Sequence, residues 1–213
     1  MARPRFFNAR PELQAAILGA AVRELATKGY EGASLNRILA AAKLSKGAFY
    51  YYFDDKADLA ATVVHKAYDD IVVSTGGLEI SRDAGEFWAT VHRFQRESID
   101  TVERSPDTGE AVARIAVAAQ RDPKLAALLA PTFDAASALG LRAWKRGQTI
   151  GAVRRDVDAA VLLALVQAIK ETLIRVYLPP RHPVRAKDVD RLAAVVLDMI
   201  RRISEPAKPK RRR

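Results

Sequence analysis

The chain has 213 residues, 49% of them apolar and 28% charged, the balance of an ordinary globular protein with enough length for one large domain or two smaller ones. It contains no cysteine, which excludes disulfides, thiolate metal sites and cysteine nucleophiles and suits a reducing cytoplasm. The formal charge of +10 sits at the ends: residues 1–56 carry nine Lys/Arg against five Asp/Glu, 57–203 carry 21 against 19, and the last ten carry five against one. That distribution fits a polyanion held at one end, and equally a solvated surface.

Helical periodicity dominates and no segment alternates as a strand, so the expected fold is all-α. Leu13, Ile17, Ala21 and Leu25 recur every four residues and predict a helix over 12–28, opened by Pro11 and stopped by Gly29. Ser34 reads as the cap of a short helix carrying Leu35, Ile38, Leu39 and Ala42, and Ser45 as the cap of another reaching about Phe53. A fourth helix is expected from Asp55 to the Ser74-Thr75-Gly76-Gly77 break. Beyond it the periodicity predicts helices over 83–104, 109–120, from Pro123 to about Gly147, from Asp156 or Asp158 to Leu178, and over 186–203. The last carries Val189, Leu192, Ala193, Val196, Ile200 and Ile203 on one face. Residues 204–213, basic and broken by proline, read as a disordered tail.

The longest apolar run, Ala159 to Val166, falls far short of the ~20 residues a bilayer requires, so no membrane partner and a cytoplasmic location are expected. Arg3, Arg5 and Arg10 precede an apolar stretch as in a signal peptide. Glu12 and Gln14 interrupt its start, and Arg23 and Glu24 follow without a cleavage site, so an amphipathic helix is expected instead. Enzyme signatures are missing: there is no nucleotide-binding glycine fingerprint and no Gly-x-Ser-x-Gly elbow. His65, His92 and His182 are too scattered for a metal motif. No catalytic residue, metal site or cofactor is expected.

The segment between Ser34 and Phe53 carries the functional signal. Phe49, Tyr52 and Phe53 can face a core while Lys46, Gly47, Tyr50 and Tyr51 point outward. Such a face suits a DNA major groove: small residues admit the helix, lysine supplies charge, and tyrosine hydroxyls reach phosphates. Spacing alone leaves open a plain helical hairpin with an aromatic surface.

The order Gly29-Tyr30, Ser34, Ile38-Leu39, Leu44-Ser45, Lys46-Gly47, Phe49-Tyr50-Tyr51-Tyr52-Phe53 and Lys56-Ala57-Asp58-Leu59 resembles the head of the TetR family of bacterial transcriptional regulators over about residues 12 to 64. Two departures stand out: Leu39 replaces the usual alanine, and Lys43 the turn glycine. The resemblance implies a three-helix helix-turn-helix DNA-binding head, residues 1–56, and a larger helical effector and dimerisation body, residues 57–203. It implies that Ser34 caps its helix and meets a phosphate, and that Asn36 reaches a base edge or the backbone. Lys46, Gly47, Ala48 and Tyr50 would lie deepest in the groove, Tyr51 and Tyr52 toward phosphates, and Lys56 on a phosphate. Arg3, Arg5 and Arg10 would form an arm near the minor groove or a solvated one.

For the body the resemblance implies a homodimer through the last two helices, with Leu165 and Val196 as test positions, and a small apolar or amphipathic effector. Phe87, Trp88, Val91, His92, Gln95, Phe133, Trp144 and Gln167 are the candidate lining residues, although ordinary core packing outweighs ligand contact for each of the aromatics and His92 reads first as a satisfied or exposed histidine. Gln167, Glu171 and Arg175 form a polar stripe at helical spacing that suits a pocket wall, a dimer contact or plain surface. The implied function is a repressor released from an inverted-repeat double-stranded DNA operator by its effector. A regulator without an effector, constitutive or controlled by a protein partner, is the alternative.

Overall fold

The computed structural model describes residues 2–75, 81–177 and 186–206. The Gly76-Gly77 break, the end of the penultimate helix at Leu178, and most of the basic tail lie outside them. Among the described residues there are helices and no strand: α1 (Pro4–Phe7), α2 (Pro11–Gly32), α3 (Leu35–Ala41), α4 (Lys46–Tyr52), α5 (Lys56–Thr75), α6 (Ala84–Arg104), α7 (Pro106–Ala119), α8 (Pro123–Thr149), α9 (Ala159–Tyr177) and α10 (Ala186–Ser204). They form two compact units that do not follow chain order: Met1–Asp70 with Ser105–Asp134, and Ile71–Arg104 with Ala135–Arg213. A head of 1–56 is thus part of a larger first unit, because α7 packs along α2.

The first unit is built on the predicted stripe of α2. Ile17, Ala21 and Leu25 are buried against Ile38 and Leu39 of α3, Phe49 of α4, Leu59, Val63 and Val64 of α5, Ile115 of α7, and Leu125 and Leu129 of α8. Each large side chain so buried contributes roughly 1.5–3 kcal/mol. At Gly29 the backbone turns left-handed (φ 70°, ψ 176°), a conformation that excludes side chains with a Cβ at low cost. The regular helix is broken there, as expected of the glycine, and a short helical turn follows across the kink to Gly32.

The second unit gathers Phe87, Trp88, Val91 and Ile99 of α6, Ala143 and Trp144 of α8, Leu162 and Val166 of α9, and Leu192, Ala193, Val196 and Ile200 of α10. Gly147 lets α8 approach closely: a Cβ there would stand 2.6 Å from Val153 Cγ2 and 2.8 Å from Phe87 Cζ, inside van der Waals contact. Two expectations shift here. Helix α7 begins at Pro106, which occupies its first turn after Ser105, rather than at Gly109. Ser204, assigned to a disordered tail, is buried and its carbonyl accepts from the Arg154 amide at 2.7 Å. An 18-residue window of α8 reaches a mean hydropathy of 1.2, enough by length and composition alone for a membrane span, although Pro131 and Asp134 break its apolar run. Its Leu125 and Leu129 serve the first core and Ala143 and Trp144 the second.

Candidate nucleic-acid interface

Helices α3 and α4 are short because each is started by a serine and stopped within two turns. The Ser34 hydroxyl accepts from the Arg37 amide (3.4 Å) and the Ser45 hydroxyl from the Ala48 amide (3.1 Å), each satisfying an otherwise orphaned helix donor. Glu24 of α2 fixes where α3 starts. Its carboxylate accepts from the Ser34 amide (2.9 Å) and from Arg37 Nε and Nη2 (2.8 and 2.5 Å). Those bonds, Arg37's first, hold the Glu24 carboxyl below its ordinary range. Between the two helices Lys43 adopts φ 52°, the left-handed turn that its resemblance to a glycine position implied, and the Leu44 amide closes the turn on the Leu39 carbonyl at 2.9 Å.

Helix α4 is mounted by its aromatic inner face. Phe49 and Phe53 are buried and stack at 5.2 Å with 21° between their rings. Tyr52 is half-buried. The opposite face is open: Lys46 and Gly47 are exposed, Tyr50 is 48% and Tyr51 51% accessible. A Cβ placed on Gly47 would meet nothing within 4 Å. Ala48 is half-buried, and on α3 Asn36 is exposed beside half-buried Ser34. The outward and inward sets are those the spacing predicts.

Two site expectations need correction. Lys56 is half-buried and its ammonium is engaged within the protein. It donates to the carbonyls of Tyr30 (2.7 Å), Ala33 (3.2 Å) and Glu31 (3.3 Å) and sits 4.8 Å from the Tyr30 ring centre. Its three protons close the C-terminal end of α2, leaving none for a phosphate in this conformation. The basic N-terminus is not a solvated arm either. Residues 4–7 form α1, whose Phe6 is buried at 4.8 Å from Phe53. The Ala2 amide donates to Thr62 Oγ1 (3.0 Å) and the Arg3 amide to the Tyr52 carbonyl (2.9 Å).

The eight candidate lining residues are divided between the two units. Phe87, Trp88, Val91, Gln95 and Trp144 are buried in the second unit. Phe133 lies in the first, 5.6 Å from Tyr68, and Gln167 is exposed on α9. The side chains of Glu171 and Arg175 fall outside the description. Trp88 and His92, alone of the eight, line a groove of about 470 Å³ with Arg201 and Leu197 of α10. Among the described residues no group of three or more His, Asp or Glu is placed to hold a metal.

A short, capped helix held by buried aromatics with its polar face to solvent, following a second capped helix across a tight turn, defines a helix-turn-helix head. Residues 17–63 match the model of the family described as bacterial regulatory proteins, tetR family. Two curated relatives match over short stretches of the chain. The transcriptional regulator AcuR of Cereibacter sphaeroides is 40% identical over 53 residues, 25% of this chain and 24% of that protein. The HTH-type transcriptional repressor SCO4008 of Streptomyces coelicolor is 39% identical over 61 residues, 29% of this chain and 32% of that protein. The matches therefore span about a quarter to a third of those relatives' length.

Solved structures extend the likeness in fold to nearly the whole chain. The fatty acid degradation regulator FadR of Bacillus halodurans superposes with a TM-score of 0.76 at 15% identity, covering 91% of this chain and 96% of that one. The TetR family regulator PfmR of Thermus thermophilus gives 0.68 at 22% identity, over 87% and 97%. FadR of Bacillus subtilis in complex with stearoyl-CoA gives 0.72 at 16%, over 88% and 97%. Residues 17–63 are thus similar to the DNA-binding head of that family, and the chain as a whole shares the fold of these solved structures.

Proposed function

We propose that the chain is a sequence-specific DNA-binding transcriptional regulator, a repressor that holds an inverted-repeat operator as a two-fold dimer and leaves it when a small apolar or amphipathic effector binds. The observation that carries the DNA reading is the open face of α4. Lys46, Gly47, Tyr50 and Tyr51 are presented together to solvent, and a side chain at Gly47 would meet nothing within 4 Å. Entering a major groove, that face would set Lys46, Gly47, Ala48 and Tyr50 against base edges and phosphates. Tyr51, Tyr52, Asn36 and Ser34 would lie along the backbone. These residues fall within 1–56, so the DNA-binding domain of the proposal is smaller than the compact unit that supports it. Such a protein acts in the cytoplasm and has no enzymatic step.

Dimerisation is supported by α9, where Val161, Leu165 and Val176 are exposed along one face, and by exposed Met199 on α10. Val196 has no part in such a face: it is fully buried in the second unit's own core. An effector is supported by two buried polar atoms without partners in the same unit, Gln95 Oε1 and Trp144 Nε1. Each carries a desolvation cost of ~1–3 kcal/mol that a ligand hydrogen bond would remove. The effector-free alternative is favoured by the packing of Phe87 on Trp88 (5.2 Å) and on Trp144 (5.8 Å), which fills that core with its own rings.

The test is selection of duplexes from a random-sequence pool by the full-length protein. The recovered sites should be inverted repeats whose half-sites lie ~34–36 Å, or a multiple of that, apart. A pool that converges on no sequence would refute the proposal.

A further inference from the structure

Arg5 stands apart from the other basic residues of the N-terminal segment. Arg3 is fully engaged: its guanidinium pairs with Asp54 (Nη2 at 2.5 Å, Nε at 3.2 Å) and donates from Nη1 to the Tyr50 carbonyl at 2.9 Å. With Phe6 buried between Phe53 and Tyr52, this pins α1 against α4. Gln14 pins the other end, its Nε2 donating to the carbonyls of Ala9 (2.8 Å) and Phe7 (3.2 Å). Arg5 lies between these anchors and is exposed, with its guanidinium carbon 4.6 Å from the centre of the Tyr51 ring. Among the described residues it makes no ion pair.

From this we infer that α1 is part of the DNA-binding surface and that Arg5, stacked on Tyr51, binds a backbone phosphate beside the recognition helix. The inference rests on the reading of α4 as the DNA-contacting helix. Arg3 has the different role of a positioning residue, since its charge is already neutralised by Asp54. A guanidinium over a tyrosine face keeps its N–H groups, which lie in the guanidinium's own plane, free to donate at their edges, the geometry a phosphate takes. A stacked arginine also loses less freedom on binding than a solvated one.

The test uses full-length protein, a duplex from the selected pool, and fluorescence anisotropy across a potassium chloride series. Arg5→Ala should weaken binding roughly tenfold at low salt, and the log–log salt slope should shrink by about 0.9 for each protomer's lost contact. Arg5→Lys, which keeps the charge, should retain the wild-type slope. Thermal unfolding of both should match wild type, because Phe6 and Arg3 still dock α1. An Arg5→Ala slope equal to wild type overturns the inference, as does an Arg5→Lys slope that falls as far as that of Arg5→Ala. Failure of the wild-type protein to select or bind any duplex would instead sink the reading of α4 itself.

Discussion

Gly47 weakens the helix it sits in, since glycine is less favourable there than alanine by up to about 1 kcal/mol. Nothing within the protein requires it: φ is not left-handed and no atom lies within 4 Å of a would-be Cβ. Gly47→Ala should therefore leave thermal stability unchanged or raise it, and still lower operator affinity, because the added methyl stands where the DNA must come close. A destabilised Gly47→Ala protein would show that the glycine serves the fold. Tyr30 offers a second check at this scale. Burial, and next the charge and hydrogen bond of Asp122, push its phenol up to about 12. Since the folded value lies above the unfolded one near 10, the stability it supports is full below pH ~10 and fades as pH rises toward 12. Alkaline titration followed by phenolate absorbance should show a late phase that Tyr30→Phe removes. The caps Ser34 and Ser45 and the outward set of α4 were legible in the sequence because they depend on neighbours within a turn or two. The engagements of Lys56 with residues 23 to 26 positions away, and of Arg3 with residues 47 and 51 away, were not, since no local pattern encodes a partner so distant.

Element boundaries follow the same logic. Helix α2 was readable from its four-residue repeat, while α1 has four residues, too few for any periodicity, and its arginines read as a charge run. The stripe on α10 marks one helical face, but a face does not say whether it meets its own chain or a second copy. Buried Val196 and 47% exposed Leu165 separate the two cases. Leu165→Glu should yield a folded monomer with poor operator affinity. Val196→Glu should instead lower the unfolding midpoint sharply, because it buries a charge without a partner. Sedimentation equilibrium and thermal unfolding on both variants check this. A Leu165→Glu protein that remains a dimer at micromolar concentration would rule out α9 as the interface.

For the molecule as a whole, the proposed switch is a coupling between two binding events. An effector shifts the DNA-bound population only by its differential affinity for the two states. A 100-fold loss of operator affinity corresponds to about 2.7 kcal/mol, and linkage requires operator DNA to weaken effector binding by the same factor. Calorimetry of a compound with and without operator should show that reciprocity. Equal affinities would mean the compound is no inducer, and a body in which every tight binder behaved so would favour the effector-free regulator. The all-α fold was visible in the sequence because amphipathic periodicity runs almost end to end. The grouping of α7 and the start of α8 with the first unit was not, because chain order does not record which helices share a core.

The central claim, that the open face of α4 reads DNA, is tested most directly by anisotropy salt titrations of Lys46→Ala and Tyr50→Ala on a selected duplex. Both side chains are exposed, so both variants should keep the wild-type unfolding midpoint. Each should bind more weakly than wild type, and loss of the Lys46 charge should flatten the log–log slope by about one unit per phosphate contact. Wild-type affinity and slope in either variant across the whole titration would contradict the account.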